Sequence, residues 1–229
     1  MRVLIAFCCC FAVIKPVALH AHVYVIIYAT HDGKSGHAGI AVDKHEIKVA
    51  DCKNCPGGIR YDTARTGELL YFDLWPEKDR FNKDRLNESV QPHYFRLPAS
   101  SAEPAITATS LIIDGIPHEQ GYPCDGLLKI NTTPTQDYQL IQFLDSLIAE
   151  NRLFNAWTYN CADYVEGAVE FLLGQNIDAD EKIAWTSATT PNRLCKALMS
   201  LDGIKVIKDP GKLVNGSFFE ERILKQDNK

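Results

Sequence analysis

One cysteine of the chain stands where a thiol can act as a nucleophile. In the stretch NAWTYNCADYVEGAVEFLLG, residues 155–174, Asn160 is suited to cap a helix, Asp163 takes the capping-box position, and Gly174 is placed to end the helix. Cys161 therefore falls in the first turn, where unpaired backbone N–H groups and the positive helix end stabilise a thiolate. The same N–H groups can stabilise the negative charge that develops on an attacked carbonyl. The alternative is a buried structural thiol, because free cysteine is often a core residue.

A cysteine nucleophile needs a base, and His37 is the histidine in the most suitable setting. It opens the predicted strand HAGIAVD directly after GKSG, and Ala38 and Gly39 leave room for a substrate or another chain to approach. A strand-end imidazole facing a helix N-terminus has the geometry of a Cys-His pair. The alternative is a histidine with a purely structural role.

The elements that must position these residues are strands first and helices later. Short β-branched or aromatic runs bounded by turn residues predict an antiparallel meander, with a hairpin turn at His45. Threonine–proline and Asn-Cys starts then predict three helices. The predicted strands are 22–30, 37–43, 46–51, 68–75, HYFRLP, TSLIIDGI, GIKVIKD and SFFEERIL; the helices begin at Thr133, at Cys161 and at TTPNRLCKALMSL. No repeat or long linker divides the chain, so we expect one α+β domain.

The N-terminal residues have the layout of a secretory signal peptide. Arg2 precedes an apolar block from Val3 to Ile14, and small residues follow at Ala18 and Ala21. We therefore expect a signal peptide over 1–21, a single domain over 22–229, a secreted or periplasmic location, and no integral membrane segment after signal removal. The alternative is the first core strand of a cytosolic protein.

Removal of that segment leaves five cysteines, an odd number. Parity suggests that Cys52 pairs with Cys55 and Cys124 with Cys195, which leaves Cys161 free. CKNC, residues 52–55, is also compatible with half of a zinc site, although no second pair at ligand spacing follows. The net charge of −5, without a run of basic residues, argues against a nucleic-acid partner.

GHAGIAVD followed far downstream by YNCADYV resembles the papain-like cysteine hydrolases of the NlpC type. The order, histidine before cysteine, is that of their circularly permuted branch, which includes the lecithin retinol acyltransferase-like proteins. The resemblance implies an antiparallel sheet packed against helices. It also implies that Cys161 is the nucleophile, that His37 is the general base, and that a polar residue on the strand after the histidine orients the imidazole. In EIKVADCKN that residue is Asp51, with Asp43 and Asp62 as further candidates.

The expected activity is cleavage of an amide or isopeptide bond through a thioester on Cys161, without a metal or organic cofactor. The resemblance implies a peptide or peptidoglycan-like substrate. Tyr159, which adjoins the nucleophile across Asn160, is a candidate substrate contact. Two alternatives remain open: an acyltransferase or thioesterase acting on a lipid with the same Cys and His, and a binding module without catalysis.

Overall fold

The structure, a computed structural model, describes residues 20–30, 36–77, 86–116, 122–183 and 186–213. Six strands form one antiparallel sheet in the order β4-β3-β2-β1-β5-β8, and two short strands form a separate hairpin. The strands are β1 Ala21–Tyr28, β2 His37–Asp51, β3 Ile59–Pro76, β4 Pro92–Leu97, β5 Gly126–Thr132, β6 Asp180–Ile183, β7 Thr186–Thr189 and β8 Ile204–Lys208. The helices are α1 Ala108–Ile113, α2 Pro134–Glu150, α3 Cys161–Leu173 and α4 Pro191–Met199. The α+β class and the antiparallel sheet packed against helices agree with the sequence prediction.

The central strand β1 buries side chains on both faces of the sheet. Val23, Val25 and Ile27 join the main core, which lies between the sheet and helices α2, α3 and α4. Tyr24 and Ile26 point to the opposite face, where α1 covers a smaller core. This alternation follows from the two-residue period of a strand, and it explains why β1 reads as a nearly continuous apolar run.

The three predicted helices are confirmed, and their caps explain where they begin. Thr133 caps α2 and Thr190 caps α4, each followed by a proline in the first turn. Asn160 caps α3, and Gly174 ends it in the left-handed conformation. Each capping side chain accepts a hydrogen bond from a backbone N–H that the helix itself leaves unpaired.

Two predictions about the strands are wrong. His45 does not lie in a hairpin turn, because β2 runs without interruption from His37 to Asp51 and has only a register shift between Asp43 and His45. TSLIIDGI is not a strand: its first residues form α1, which Thr107 and Ser110 start with a capping box. Paired hydroxyl caps at this point outweigh the β propensity of the isoleucines.

Most of the proposed signal peptide, residues 1–19, lies outside the described residues, as does SFFEERIL. Among the residues that the structure does describe, no helix has the length and apolar character needed to cross a bilayer.

Candidate active site

Cys161 and His37 meet where the N-terminus of α3 packs against the sheet. Cys161 is the first residue of α3, and α3 lies against β2 and β3. His37 is the first residue of β2, and its ring is hydrogen-bonded to the Cys161 side chain. His37 is almost completely buried, whereas Cys161 is partly exposed. The structure therefore brings together the two side chains that the sequence proposed as nucleophile and base.

Asp73 on β3 holds the other side of the imidazole. Its Oδ2 atom lies 2.9 Å from Nε2 of His37, which leaves Nδ1 as the nitrogen that faces Cys161. The same oxygen accepts a 2.7 Å hydrogen bond from the Tyr71 hydroxyl and a 3.2 Å bond from the Trp75 indole. The Trp75 ring also stacks on His37, with the ring centroids 4.3 Å apart. The imidazole is thus fixed by a carboxylate at one edge and by an indole against its face.

The register of β2 and β3 explains this arrangement. Gly39 pairs with Asp73 in the antiparallel ladder, so residues two positions away on either strand share the same face of the sheet. A Cβ atom on Gly39 would lie 2.5 Å from the Tyr71 hydroxyl and 2.6 Å from its ring. Gly39 therefore makes room for Tyr71, which reaches Asp73, rather than for a substrate as the sequence suggested.

The charges around His37 favour its protonated form. Burial acts to lower the pKa of His37, but the negative charge of Cys161 and the hydrogen bond with Asp73 outweigh burial and raise the pKa to about 10. An imidazolium beside a thiolate is the resting state that a cysteine nucleophile requires. Because Asp73 is itself fully buried, its charge is compensated by the three donors that converge on Oδ2.

The cap of α3 determines which backbone N–H groups remain available near Cys161. Oδ1 of Asn160 accepts hydrogen bonds from the N–H groups of Ala162 and Asp163. The Asn160 amide nitrogen donates to the carbonyl oxygens of Ala156 and Thr189, so the cap is anchored to the β6–β7 hairpin. The sequence suggested that several first-turn N–H groups could stabilise an oxyanion. Because the cap occupies those of Ala162 and Asp163, the N–H of Cys161 is the first-turn donor that the cap leaves for this purpose.

Asp51 does not orient His37, and this prediction is corrected. It lies at the far end of β2, exposed and opposite Ile59, on the order of 45 Å along the strand from His37. Of the further candidates, Asp43 is buried and paired with Arg65, and Asp62 pairs with Arg60. Since EIKVAD belongs to β2 itself, the strand that follows the histidine strand is β3, and β3 carries Asp73. The sequence does contain a pattern that indicates Asp73. It is the single acid within the apolar run LLYFDLW, and a carboxylate buried with such a strand requires polar partners.

Tyr159 lies in the main core rather than on the surface of a cleft. Its side chain is only 7% exposed, and the Arg152 guanidinium covers its ring at 4.1 Å. Its backbone exchanges two hydrogen bonds with Asn155. These contacts stabilise the turn that leads into α3, and they do not support the predicted substrate contact.

The cysteines agree with the parity argument only in part. Cys52 and Cys55 form a disulfide, and Cys161 carries a free thiol. Cys124 and Cys195 are also free, and each is buried, so the predicted disulfide between them is wrong. Cys195 lies in the main core and Cys124 in the smaller core on the opposite face of the sheet, so the sheet separates the two thiols. Within the described parts of the chain, no cluster of three or more histidine, cysteine or acidic side chains could hold a metal ion.

The comparisons with known proteins found little. No family model matches the chain, and no curated protein matches it. Among solved structures, the chain is similar to the type VI secretion system effector TseH, with 12% sequence identity and a TM-score of 0.43. That likeness covers 80% of this chain and 90% of TseH.

Proposed function

We propose that this protein is an exported cysteine hydrolase that cleaves an amide or isopeptide bond through a thioester on Cys161. The observation that carries the proposal is the series of contacts from Cys161 through His37 to Asp73. His37 contacts the thiol with one ring nitrogen and the Asp73 carboxylate with the other. A nucleophile, a base and a group that orients the base are the three parts that this chemistry needs.

Each residue has a defined role in the two steps. The Cys161 thiolate attacks the carbonyl carbon, and the electron pair of the C=O bond moves to the oxygen, beside the Cys161 N–H. The intermediate collapses, the C–N bond breaks, and the amine leaves with the proton of His37. Water, deprotonated by His37, then attacks the thioester, the C–S bond breaks, and the carboxylic acid and the Cys161 thiolate are released, while His37 keeps the proton and the resting pair is restored. Asp73 holds the ring so that the same nitrogen serves both steps.

The substrate is proposed to be the peptide part of cell-wall peptidoglycan. The apolar block from Val3 to Ile14, which has the layout of a signal peptide, supports export of the chain, and the motif resemblance to NlpC-type hydrolases supports this substrate.

The experiment is to incubate the purified protein with soluble peptidoglycan fragments and to measure the release of free amines. We expect turnover by the wild type and a loss of about a thousandfold or more in Cys161→Ala and His37→Ala. Cys195→Ala, which removes a thiol elsewhere, serves as the control and should retain activity. Unchanged turnover in Cys161→Ala would end the nucleophile assignment. Turnover of phospholipid instead of peptidoglycan would keep the nucleophile and replace the substrate.

A further inference from the structure

The C-terminal half of β2 and the N-terminal part of β3 leave the sheet as a two-stranded arm, which we define as residues 45–51 and 59–65. β1 pairs with β2 only over residues 37–42, and β4 pairs with β3 only over residues 71–76. Beyond those ranges the two strands pair with each other alone, from His45 opposite Arg65 to Asp51 opposite Ile59. The disulfide between Cys52 and Cys55 lies at the tip.

The arm is apolar on one face, which we call the arm face. Ile47 lies opposite Thr63, Val49 opposite Tyr61, and Asp51 opposite Ile59, so these side chains share one side of the ribbon. Ile47, Val49 and Tyr61 are 72%, 62% and 69% exposed, and Ile59 is 39% exposed. A two-stranded ribbon is only marginally stable in water when it has no core to pack against. The arm face therefore has the character of a surface that another surface covers.

The opposite side of the arm is polar and electrically balanced. Lys48 pairs with Glu46 at 3.1 Å, and Arg60 pairs with Asp62 at 2.9 Å. These side chains are well exposed and give that side an ordinary solvated surface. Only one side of the ribbon is therefore suited to an interface.

The arm face continues into a groove between the base of the arm and α2. The groove has a volume of about 480 Å³, and its walls include Ile47, Leu70, Tyr138 and Ile141. Tyr138 on α2 is 62% exposed and extends the apolar surface.

The charged groups at the groove are already paired with one another. Asp43 pairs with Arg65 at 2.6 Å, His45 with Asp137 at 2.7 Å, and Lys44 with Glu68. The charges at the groove therefore compensate one another, and Asp51 at the far end of the arm face is an exposed acid. Neither feature attracts a nucleic acid or an anionic lipid. The exposed apolar side chains of the arm face fit a second apolar surface.

We infer that two copies of this chain form a two-fold dimer by packing their arm faces against each other. A two-fold axis near Val49 and Tyr61 places the same patch on both sides of the interface, as an isologous dimer requires. The exposed apolar side chains amount to on the order of 500 Å² per copy. Two copies then bury about 1,000 Å², the lower limit for a specific interface and the size of a weak, transient one. The dimer is accordingly a reversible one.

The dimer leaves both candidate active sites open. Val49 lies twelve residues along β2 from His37, a distance of about 40 Å in an extended strand. Variants of the arm face should therefore change the oligomeric state without changing turnover, so the dimer and the proposed hydrolase activity can fail independently.

The test is sedimentation velocity of the purified protein over about 1 to about 100 µM, a range suited to an interface of this size. We expect a concentration-dependent shift from one to two chain masses. Val49→Glu and Tyr61→Glu should each weaken the dimer at least tenfold, because each buries an unpaired charge in the interface. Ala50→Glu is the matched control: it places the same charge on the polar side, opposite Arg60, and should change dimerisation less than twofold. Thermal melts check that all three variants fold.

Three results would overturn the inference. One is a wild type that remains monomeric across the whole range. Another is a dimer that Val49→Glu and Tyr61→Glu leave intact, since its interface then lies elsewhere. The third is flotation of the monomer with phosphatidylcholine vesicles, lost in the same two variants, because the arm face would then bind a membrane rather than a second copy.

Discussion

Nε2 of His37 lies 2.9 Å from Oδ2 of Asp73, across two neighbouring strands of the sheet. This contact does more than pack two buried groups together. It assigns one imidazole nitrogen to a carboxylate, and thereby directs the other to the thiol at the start of α3. Of the acids that the sequence suggested, Asp51 lies at the far end of β2, and Asp43 and Asp62 pair with arginines.

Replacement of Asp73 by asparagine should lower kcat/KM by about a hundredfold or more. The amide keeps the size of the side chain but removes the charge that stabilises the imidazolium, and it can hold the ring in the wrong tautomer. Steady-state kinetics on the active substrate provide the measurement. Asp51→Asn is the control and should stay within twofold of the wild type, because Asp51 is exposed at the far end of β2. Equal effects of the two substitutions would refute the assignment of Asp73.

The protonation of His37 should be visible in both a titration and the stability. The pKa of His37 is raised from 6.5 to about 10. A raised pKa means that the folded state binds the proton more tightly than the unfolded state. The stabilisation is therefore complete below about pH 6.5 and is lost as the pH rises through about 10. Histidine-selective NMR should report the high pKa, and Asp73→Asn should lower it. A His37 that titrates near 6.5 in the wild type would contradict the ion pair.

Gly39→Ala should disrupt the site without touching any proposed catalytic group. The added Cβ meets both the hydroxyl and the ring of Tyr71, so Tyr71 must move away from Asp73. We expect a loss of about 1–3 kcal/mol of unfolding free energy and reduced turnover. Tyr71→Phe removes only the hydroxyl and its bond to Asp73, and it should cost activity with a smaller loss of stability. Chemical denaturation and kinetics together distinguish the two variants. A fully stable and active Gly39→Ala would show that the close approach of Gly39 to Tyr71 is unimportant.

Asn160→Ala should affect turnover more than stability alone explains. The cap is worth about 0.5–2 kcal/mol, and its loss also frees the turn that carries Cys161. Thr133→Ala is a matched control, because it removes the cap of α2, a helix that does not carry the thiol. Both variants should lose similar stability in denaturant melts, but only Asn160→Ala should lose turnover, by tenfold or more. Parallel losses of turnover would reduce the role of Asn160 to general stability.

The features that the sequence predicts correctly are those encoded by neighbouring residues. The cap at Asn160, the first-turn position of Cys161 and the helix starts at Thr133 and Thr190 are encoded within a few residues, and the structure confirms them. His37 was found because it opens a strand after a glycine.

The errors arose where distant parts of the chain decide the outcome. The polar residues around His45 predict a turn, but the partner of His45 is Asp137 on α2, which the local sequence does not reveal. The wrongly predicted turn divides β2 into two strands. The second of these, 46–51, then becomes the strand after the histidine, so Asp51 is predicted in place of Asp73. The disulfide prediction for Cys124 and Cys195 failed similarly, because parity carries no information about which face of a sheet a cysteine occupies.

The central claim is that Cys161 forms a covalent acyl-enzyme with His37 as its base. The most direct measurement is intact-mass spectrometry of the protein after mixing with an activated acyl ester, followed by peptide mapping. We expect one added acyl group on Cys161, none in Cys161→Ala, and much slower acylation in His37→Ala. Acylation that persists in Cys161→Ala, or that is shared with Cys124 and Cys195, would contradict the account.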